Sequence, residues 1–169
     1  MKLNVGCGTD YRDGFVNIDG SNSLPRVDLV VDISQVSLLE HFTIGSIEYI
    51  LANDIIEHHF HWEAVSLMRD FYSLLCAGGI IEIRVPDAAY LLRTFRFSTE
   101  QKLTMLFGGQ DIPQGRDAEM DASRARFPQY FAHKFGWTSS RLRHDLSAVG
   151  FADISIRRVR TNCVALARK

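Results

Sequence analysis

The sequence has few cysteines, few prolines and no long apolar run. Its 169 residues include three cysteines and four prolines. Cys7, Cys76 and Cys163 lie far apart and form no CxxC pair, which argues against a disulfide framework. No uninterrupted apolar segment is long enough to cross a bilayer, so we predict no membrane span. We see no secretory signal pattern near Met1 and expect a cytoplasmic location.

Net charge is also small. The formal net charge is −1, whereas proteins that neutralise nucleic-acid phosphates are usually basic. We therefore do not expect nucleic acid as a partner, although the arginines between Arg141 and Arg168 leave a local basic face open. The length fits a single domain spanning residues 1–169.

Short apolar segments alternate with amphipathic ones along the chain. Two late strands are joined by only three residues and must pair antiparallel. The alternation predicts an α/β fold with a mostly parallel sheet and helices on both of its faces. The predicted strands are 3–5, 15–18, 27–33, 47–52, 80–85, 154–159 and 163–167, and the predicted helices are a short one after Ser34, then 60–76, 88–95, 98–107 and 139–149.

The stretch 108–126 breaks this pattern. It is polar, contains glycine and has no helical periodicity. A loop of this length in a compact domain is usually a lid, a binding loop or disordered. We interpret it as a mobile cover over the site, and we expect the aromatic-rich stretch 127–137 to pack at the sheet edge or the pocket mouth.

Glycines and acids follow the first three predicted strands. Gly6–Gly8 is a tight turn in which the backbone can approach a ligand closely. Asp19 ends the second strand, where its two oxygens could accept hydrogen bonds from a ribose diol. Asp32 closes the third strand. The carboxyl ends of parallel strands meet at one edge of a sheet, so these features together predict a nucleoside site, although each alone is also typical of an ordinary turn.

The motifs LNVGCG, VNID and NDIIEH, in this order and spacing, resemble those of class I S-adenosylmethionine-dependent methyltransferases over nearly the whole chain. The resemblance implies a Rossmann-like methyltransferase fold with a seven-stranded, mostly parallel sheet in the order 3-2-1-4-5-7-6, its last strand antiparallel. It also implies S-adenosylmethionine as the cofactor. The implied contacts are Gly6, Cys7 and Gly8 to the methionyl part, Asp19 to the ribose, Asp32 and Ile33 to the adenine, and Asn53 and Asp54 to the amino group and sulfonium, with Gly20 as a further cofactor-binding residue.

The chain departs from this family at the first crossover. Only the residues from Gly6 to Gly14 separate the first two strands, and a parallel crossover normally needs a dozen or more. We therefore predict that the first crossover helix is shortened or absent. Tyr11 or Phe15 would then cover the cofactor instead.

Methyl transfer from a sulfonium depends mainly on binding and alignment, because the cofactor carries the activated group. Some acceptors also need a base, and the candidates are His58, Asp87 and His133, with Glu57, His59, His61 and Tyr90 as others. The run Glu57–His61 raises a metal alternative. Neighbours in sequence do not share a helix face, and no second His or Cys cluster stands nearby, so we predict no metal.

Three classes of function remain open. The first is a methyltransferase acting on a small molecule or on a sugar or glycan. The second is an RNA or protein methyltransferase, and the third is a non-catalytic methyltransferase-like binding module. The sequence predicts neither the acceptor nor the oligomeric state.

Overall fold

The computed structural model describes residues 1–110, 115 and 117–169, in which strands alternate with helices. Short 3-10 turns lie at Leu38–Glu40, Ile56–His58 and Pro128–Phe131. The strands are β1 (Lys2–Val5), β2 (Val16–Asp19), β3 (Leu29–Val30), β4 (Ile47–Asn53), β5 (Leu75–Pro86), β6 (Ala152–Val159) and β7 (Asn162–Arg168), and the helices are α1 (His61–Leu74), α2 (Ala88–Arg93), α3 (Thr99–Phe107), α4 (Ala118–Arg126) and α5 (Ser139–Val149).

The strands form one mixed sheet in the order β3-β2-β1-β4-β5-β7-β6. The pairs among β1 to β5 are parallel, with Leu3 of β1 opposite Val16 of β2 and Ile50 of β4. β7 runs antiparallel to both β5 and β6. The predicted strand order and the antiparallel pairing at the end of the chain are confirmed.

The main core lies between the sheet and the helices α1 and α5, which also contact each other. Leu67, Met68 and Phe71 form the buried stripe of α1 at helical spacing. On the other face of the sheet, alternate residues of β5 such as Glu82 are only half-buried. Tyr49 covers part of that face and donates a 2.6 Å hydrogen bond to Glu82.

No helix connects β1 to β2, as predicted, and all residues between them are described. Buried amide side chains hold this connection in place. Asn4 Nδ2 donates to the carbonyl of Asp10 at 2.7 Å and to Asn17 Oδ1 at 3.0 Å. Asn17 Oδ1 also accepts from the amide of Arg12 at 2.8 Å. These bonds satisfy backbone groups that a crossover helix would otherwise pair internally.

Some predicted boundaries are wrong. β3 covers only Leu29–Val30, and the short helix expected after Ser34 is the 3-10 turn Leu38–Glu40. Helix α1 stops at Leu74 rather than at residue 76, because the chain enters β5 at Leu75, which pairs with Ile47 of β4. The glycine pair Gly78-Gly79, a typical helix stop signal, lies within β5.

The stretch 108–126 is not a loop throughout. Residues 111–114 and 116 lie outside the described part, but α4 occupies the last nine positions of the stretch. Asp117 caps this helix by accepting bonds from the amides of Glu119 and Met120 at 3.0 and 3.1 Å. Helix α4 is polar and has a single buried residue, Ser123. The sequence therefore showed no apolar periodicity that would predict a helix there.

In the part of the chain that the structure describes, no helix combines the length and the apolar character that a membrane crossing requires.

Candidate functional site

A cavity of about 720 Å³ opens at the carboxyl ends of the first strands. Small-molecule sites typically measure about 300–1,000 Å³, so the space suits a ligand of cofactor size. Every residue that the sequence assigned to a cofactor lines this one cavity: Gly6, Cys7, Gly8, Asp19, Gly20, Asp32, Ile33, Asn53 and Asp54.

The glycine turn after β1 requires a residue without a side chain. Gly6 has φ +65°, and a Cβ there would lie 2.4 Å from Cδ1 of Ile55. The backbone therefore approaches the cavity more closely than a residue with a side chain would permit. Cys7 is buried, and burial together with the charge of Asp19 raises the pKa of its thiol to about 12. The thiol stays protonated near neutral pH and is not a nucleophile.

Asp19 joins the two turns that flank the cavity. One carboxylate oxygen accepts from the amide of Gly8 at 2.9 Å, and the other accepts from the amide of Ser21 at 2.9 Å. A carboxylate has about four lone-pair sites, so each oxygen keeps capacity for a further hydrogen bond from a ligand.

Asp32 is bound by a tyrosine that the sequence analysis did not single out. The hydroxyl of Tyr130 donates to Asp32 Oδ2 at 2.9 Å, while Ser34 donates its amide to Oδ1 at 2.9 Å. Burial and the Asp32 contact raise the pKa of Tyr130 to about 12. The ring also packs on Gly20, where a Cβ would lie 3.2 Å from it. The only sequence signal was that Tyr130 belongs to the aromatic-rich stretch.

Helix α4 and the following 3-10 turn form the roof of the cavity, and we name residues 117–131 the cover. Asp117 accepts a 2.6 Å hydrogen bond from Thr9, and Ser123 donates to Ser21 at 2.8 Å. The sulfur of Met120 lies against Gly8. The cover therefore contacts both turns that carry the proposed cofactor residues.

The end of β4 supplies polar groups and a strained backbone. Asp54 has φ +53° although it is not a glycine, and its carboxylate pairs with the guanidinium of Arg84. Such conformations cost about 1–3 kcal/mol and cluster at functional sites. Asn53 Oδ1 is buried and has no hydrogen-bond partner among the described residues.

The architecture around this cavity matches solved structures. A SAM-dependent methyltransferase from Archaeoglobus fulgidus superposes with a TM-score of 0.64 at 14% identity, over 99% of this chain and 85% of that one. One from Mesorhizobium loti gives 0.63 at 13% identity, over 99% and 90%. The 1,6-didemethyltoxoflavin-N1-methyltransferase of Burkholderia thailandensis, with bound S-adenosylhomocysteine, gives 0.58 at 16% identity, over 99% and 70%. The chain has the class I methyltransferase fold. No protein-family model and no curated protein matches it.

On this methyltransferase fold, a cluster of titratable side chains stands next to Asn53 and Asp54. The rings of His58 and His133 lie 4.8 Å apart between centroids, and both line the cavity. Glu57 is 1% exposed, and neither of its carboxylate oxygens has a hydrogen-bond partner among the described residues.

Burial dominates the electrostatics of this cluster. It raises the pKa of Glu57 well above its usual range, with a further contribution from the charge of Asp54. It lowers the pKa of His58 to about 3 and also lowers that of His133. Both imidazoles are therefore neutral near pH 7 and keep a lone pair, so they can act as bases or as metal ligands.

The cluster could not be recognised from sequence spacing. Within the run Glu57–His61 only two of its members are present, and the third, His133, comes from a segment about 75 residues further along the chain. The fold supplies the additional histidine that we did not find near the run.

Of the other base candidates, Asp87 and His61 lie outside the cavity lining and His59 lies in the cavity wall. Asp87 does not line the cavity; its carboxylate accepts from the amide of Tyr90 at 3.1 Å and caps α2. His61 is paired with Asp145 at 2.8 Å, away from the cavity. His59 is buried in the cavity wall. The structure thus brings His58 and His133 together and separates Asp87 from them.

Proposed function

We propose that this protein is an S-adenosylmethionine-dependent methyltransferase acting on a small molecule or on a sugar or glycan. The observation that carries the proposal is that a single cavity, on a methyltransferase fold, is lined by every residue that the motifs assigned to the cofactor. Residues dispersed through the first 54 positions converge there because four parallel strands end at the same edge.

The residues present fit an adenosyl ligand. Asp19 has lone pairs left for a ribose diol, and Asp32 offers an acceptor for the exocyclic amine of adenine. The buried Oδ1 of Asn53, which has no partner among the described residues, would accept a bond from the amino group of the cofactor. The cofactor would supply an activated methyl group, and the chain would bind it, align the acceptor and exclude water.

Fewer observations bear on the methyl acceptor than on the cofactor. The Burkholderia thailandensis enzyme is named for a small heterocyclic substrate, which supports a small-molecule acceptor here. The net charge of −1 gives no support to a nucleic-acid acceptor. We also propose that the protein acts in the cytoplasm.

Calorimetric titration with S-adenosylmethionine and with S-adenosylhomocysteine tests the cofactor. We expect both to bind, and we expect Asp19→Ala to weaken binding by about 1–3 kcal/mol, because ribose hydroxyls lose their acceptor. Asp13→Ala, at a fully exposed carboxylate, is the matched control. Asp19 also holds two backbone amides, so thermal melting must show that the variant is folded. If neither compound binds at about 1 mM, the proposal that the chain is an enzyme of this class fails.

A further inference from the structure

We propose that Glu57, His58 and His133 bind a divalent transition-metal ion in the wall of the cavity. Each offers one ligand atom, and these atoms lie within 4.8 Å of one another. Two imidazoles and one carboxylate form the protein ligand set of open zinc and non-haem iron sites. Metal binding by this trio stands independently of the proposed methyl transfer.

The buried carboxylate of Glu57 is the observation that points to a cation. It is 1% exposed and both of its oxygens have no hydrogen-bond partner in the described part of the chain. The nearby guanidinium of Arg84 is engaged by Asp54 instead. A buried carboxyl group without partners is costly, and a divalent ion would satisfy both oxygens and the charge.

The hydrogen bond of the His58 imidazole leaves one ring nitrogen with its lone pair available. His58 Nδ1 lies 3.2 Å from the carbonyl oxygen of Ala132. A carbonyl oxygen can only accept, so Nδ1 carries the proton and the Nε2 lone pair is left for a ligand. Histidines that bind metals commonly donate their other ring nitrogen to a carbonyl in this way, which fixes the tautomer.

Backbone hydrogen bonds fix the positions of the segment that carries Glu57 and His58 and of the segment that carries His133. The carbonyl of Glu57 accepts a 2.7 Å hydrogen bond from the amide of Lys134, and the amide of His133 donates to the carbonyl of Phe107 at 3.0 Å. Zinc bonds of about 2.0–2.1 Å would place tetrahedral ligand atoms about 3.4 Å apart. The largest distance between two ligand atoms would therefore have to shorten by roughly an ångström or slightly more, which rotations of the side chains can supply.

Three protein ligands leave at least one position on the ion for another group. His58 and His133 line the cavity beside Asn53 and Asp54, so that position faces the proposed methyl-transfer site. An oxygen bound there, from water or from a hydroxyl of the acceptor, would lose its proton more easily. This use of the ion rests on the proposed function; binding of the ion does not.

The test is a titration of the full-length protein, treated with a chelator and then dialysed, with Co²⁺, Zn²⁺ and Mn²⁺ in the absence of cofactor. Calorimetry gives the stoichiometry, and the visible spectrum of the Co²⁺ form reports nitrogen and oxygen ligation without a thiolate charge-transfer band. We expect one ion per chain. Loss of even an outer partner costs about 10–100-fold in metal affinity, so His133→Ala and Glu57→Gln should weaken binding by at least that factor.

His59→Gln is the matched control, because His59 is also a histidine of the cavity wall but is not one of the trio. It should bind the ion as the wild type does. Absence of binding to the wild type, unchanged binding by His133→Ala, or equal loss in His59→Gln would each overturn the proposal. Glu57→Gln keeps the shape of a buried side chain, so circular dichroism and melting should show a folded protein. Cofactor titration in metal-free buffer reports separately on the proposed function.

Discussion

The hydroxyl of Tyr130 donates a 2.9 Å hydrogen bond to Asp32, the carboxylate proposed to accept the adenine amine. The cover and the proposed adenine subsite therefore share one acceptor oxygen. A cofactor amine at this oxygen competes with the tyrosine hydroxyl for the same carboxylate charge, so cofactor binding and the position of the cover are coupled. The hydrogen bonds from the cover to Thr9, Ser21 and Asp32 then hold the cover over the cavity.

We predict that Tyr130→Phe tightens the binding of S-adenosylhomocysteine. The variant keeps the ring that packs on Gly20 but removes the hydroxyl that competes for Asp32. A hydrogen bond to a charged group contributes about 1.5–3 kcal/mol, so full loss of the competing bond corresponds to an affinity gain of up to about 13- to 160-fold. Calorimetry measures the change, and Tyr72→Phe, at a tyrosine outside the cavity lining, is the control. Weaker binding by Tyr130→Phe would show instead that the hydroxyl contacts the ligand.

We predict that Gly6→Ala destabilises the fold by about 2–4 kcal/mol, from backbone strain and from overpacking. The backbone has φ +65°, and the new Cβ would meet Ile55 at 2.4 Å. Gly14→Ala separates the two effects, because Gly14 has φ +79° and nothing lies within 4 Å of its Cβ position. It should cost about 1 kcal/mol. Urea unfolding of both variants gives the values, and equal losses would show that the contact with Ile55 relaxes freely.

The convergence of the cofactor residues could be predicted because it follows from local signals, whereas the strand order was implied by the resemblance to class I methyltransferases. Apolar segments, turn glycines and acids at strand ends are all short-range features, and the topology of a parallel sheet then places them at one edge. Asp19 and Asp32 were found in this way. The absence of a crossover helix was predicted from the length of one connection, because too few residues lie between β1 and β2 to form a helix there.

Features that depend on distant contacts could not be predicted. Tyr130 reaches Asp32 and His133 reaches His58 only because the cover and the residues directly after it fold back over the sheet. Helix α4 has one buried residue and no apolar stripe, so its sequence carried almost no periodic signal. The end of α1 was misplaced because pairing of Leu75 with Ile47 overrides the glycine stop signal.

We predict that Cys7 reacts slowly with iodoacetamide although it lies in the cavity lining. Its thiol has a pKa of about 12, so roughly one in ten thousand is ionised at pH 8, and only the thiolate reacts. Burial likewise raises the pKa of Cys163 to about 11, whereas Cys76 is partly exposed. Mass spectrometry over a time course should show Cys76 modified first. Modification of Cys7 at the rate of Cys76 would show instead that its thiol is accessible and readily ionised.

Asp87 was a base candidate in the sequence, and its position now predicts a role in stability. It lies outside the cavity lining, and its carboxylate accepts from the amide of Tyr90 at the start of α2. Asp87→Ala should lower the free energy of unfolding by about 1 kcal/mol, the usual effect of removing a helix cap. Asp87→Asn should restore most of this, because asparagine caps helices as well as aspartate does.

The two variants also separate the cap from a catalytic role. Asparagine cannot act as a base, so a catalytic Asp87 would lose methyl transfer in Asp87→Asn while stability was kept. We expect Asp87→Asn to keep both its stability and its methyl transfer to any accepted substrate. Ser98→Ala, which removes the N-cap of α3 without touching the cavity, gives the reference for a pure capping loss. A fall in turnover in Asp87→Asn beyond that reference would return Asp87 to the list of catalytic candidates.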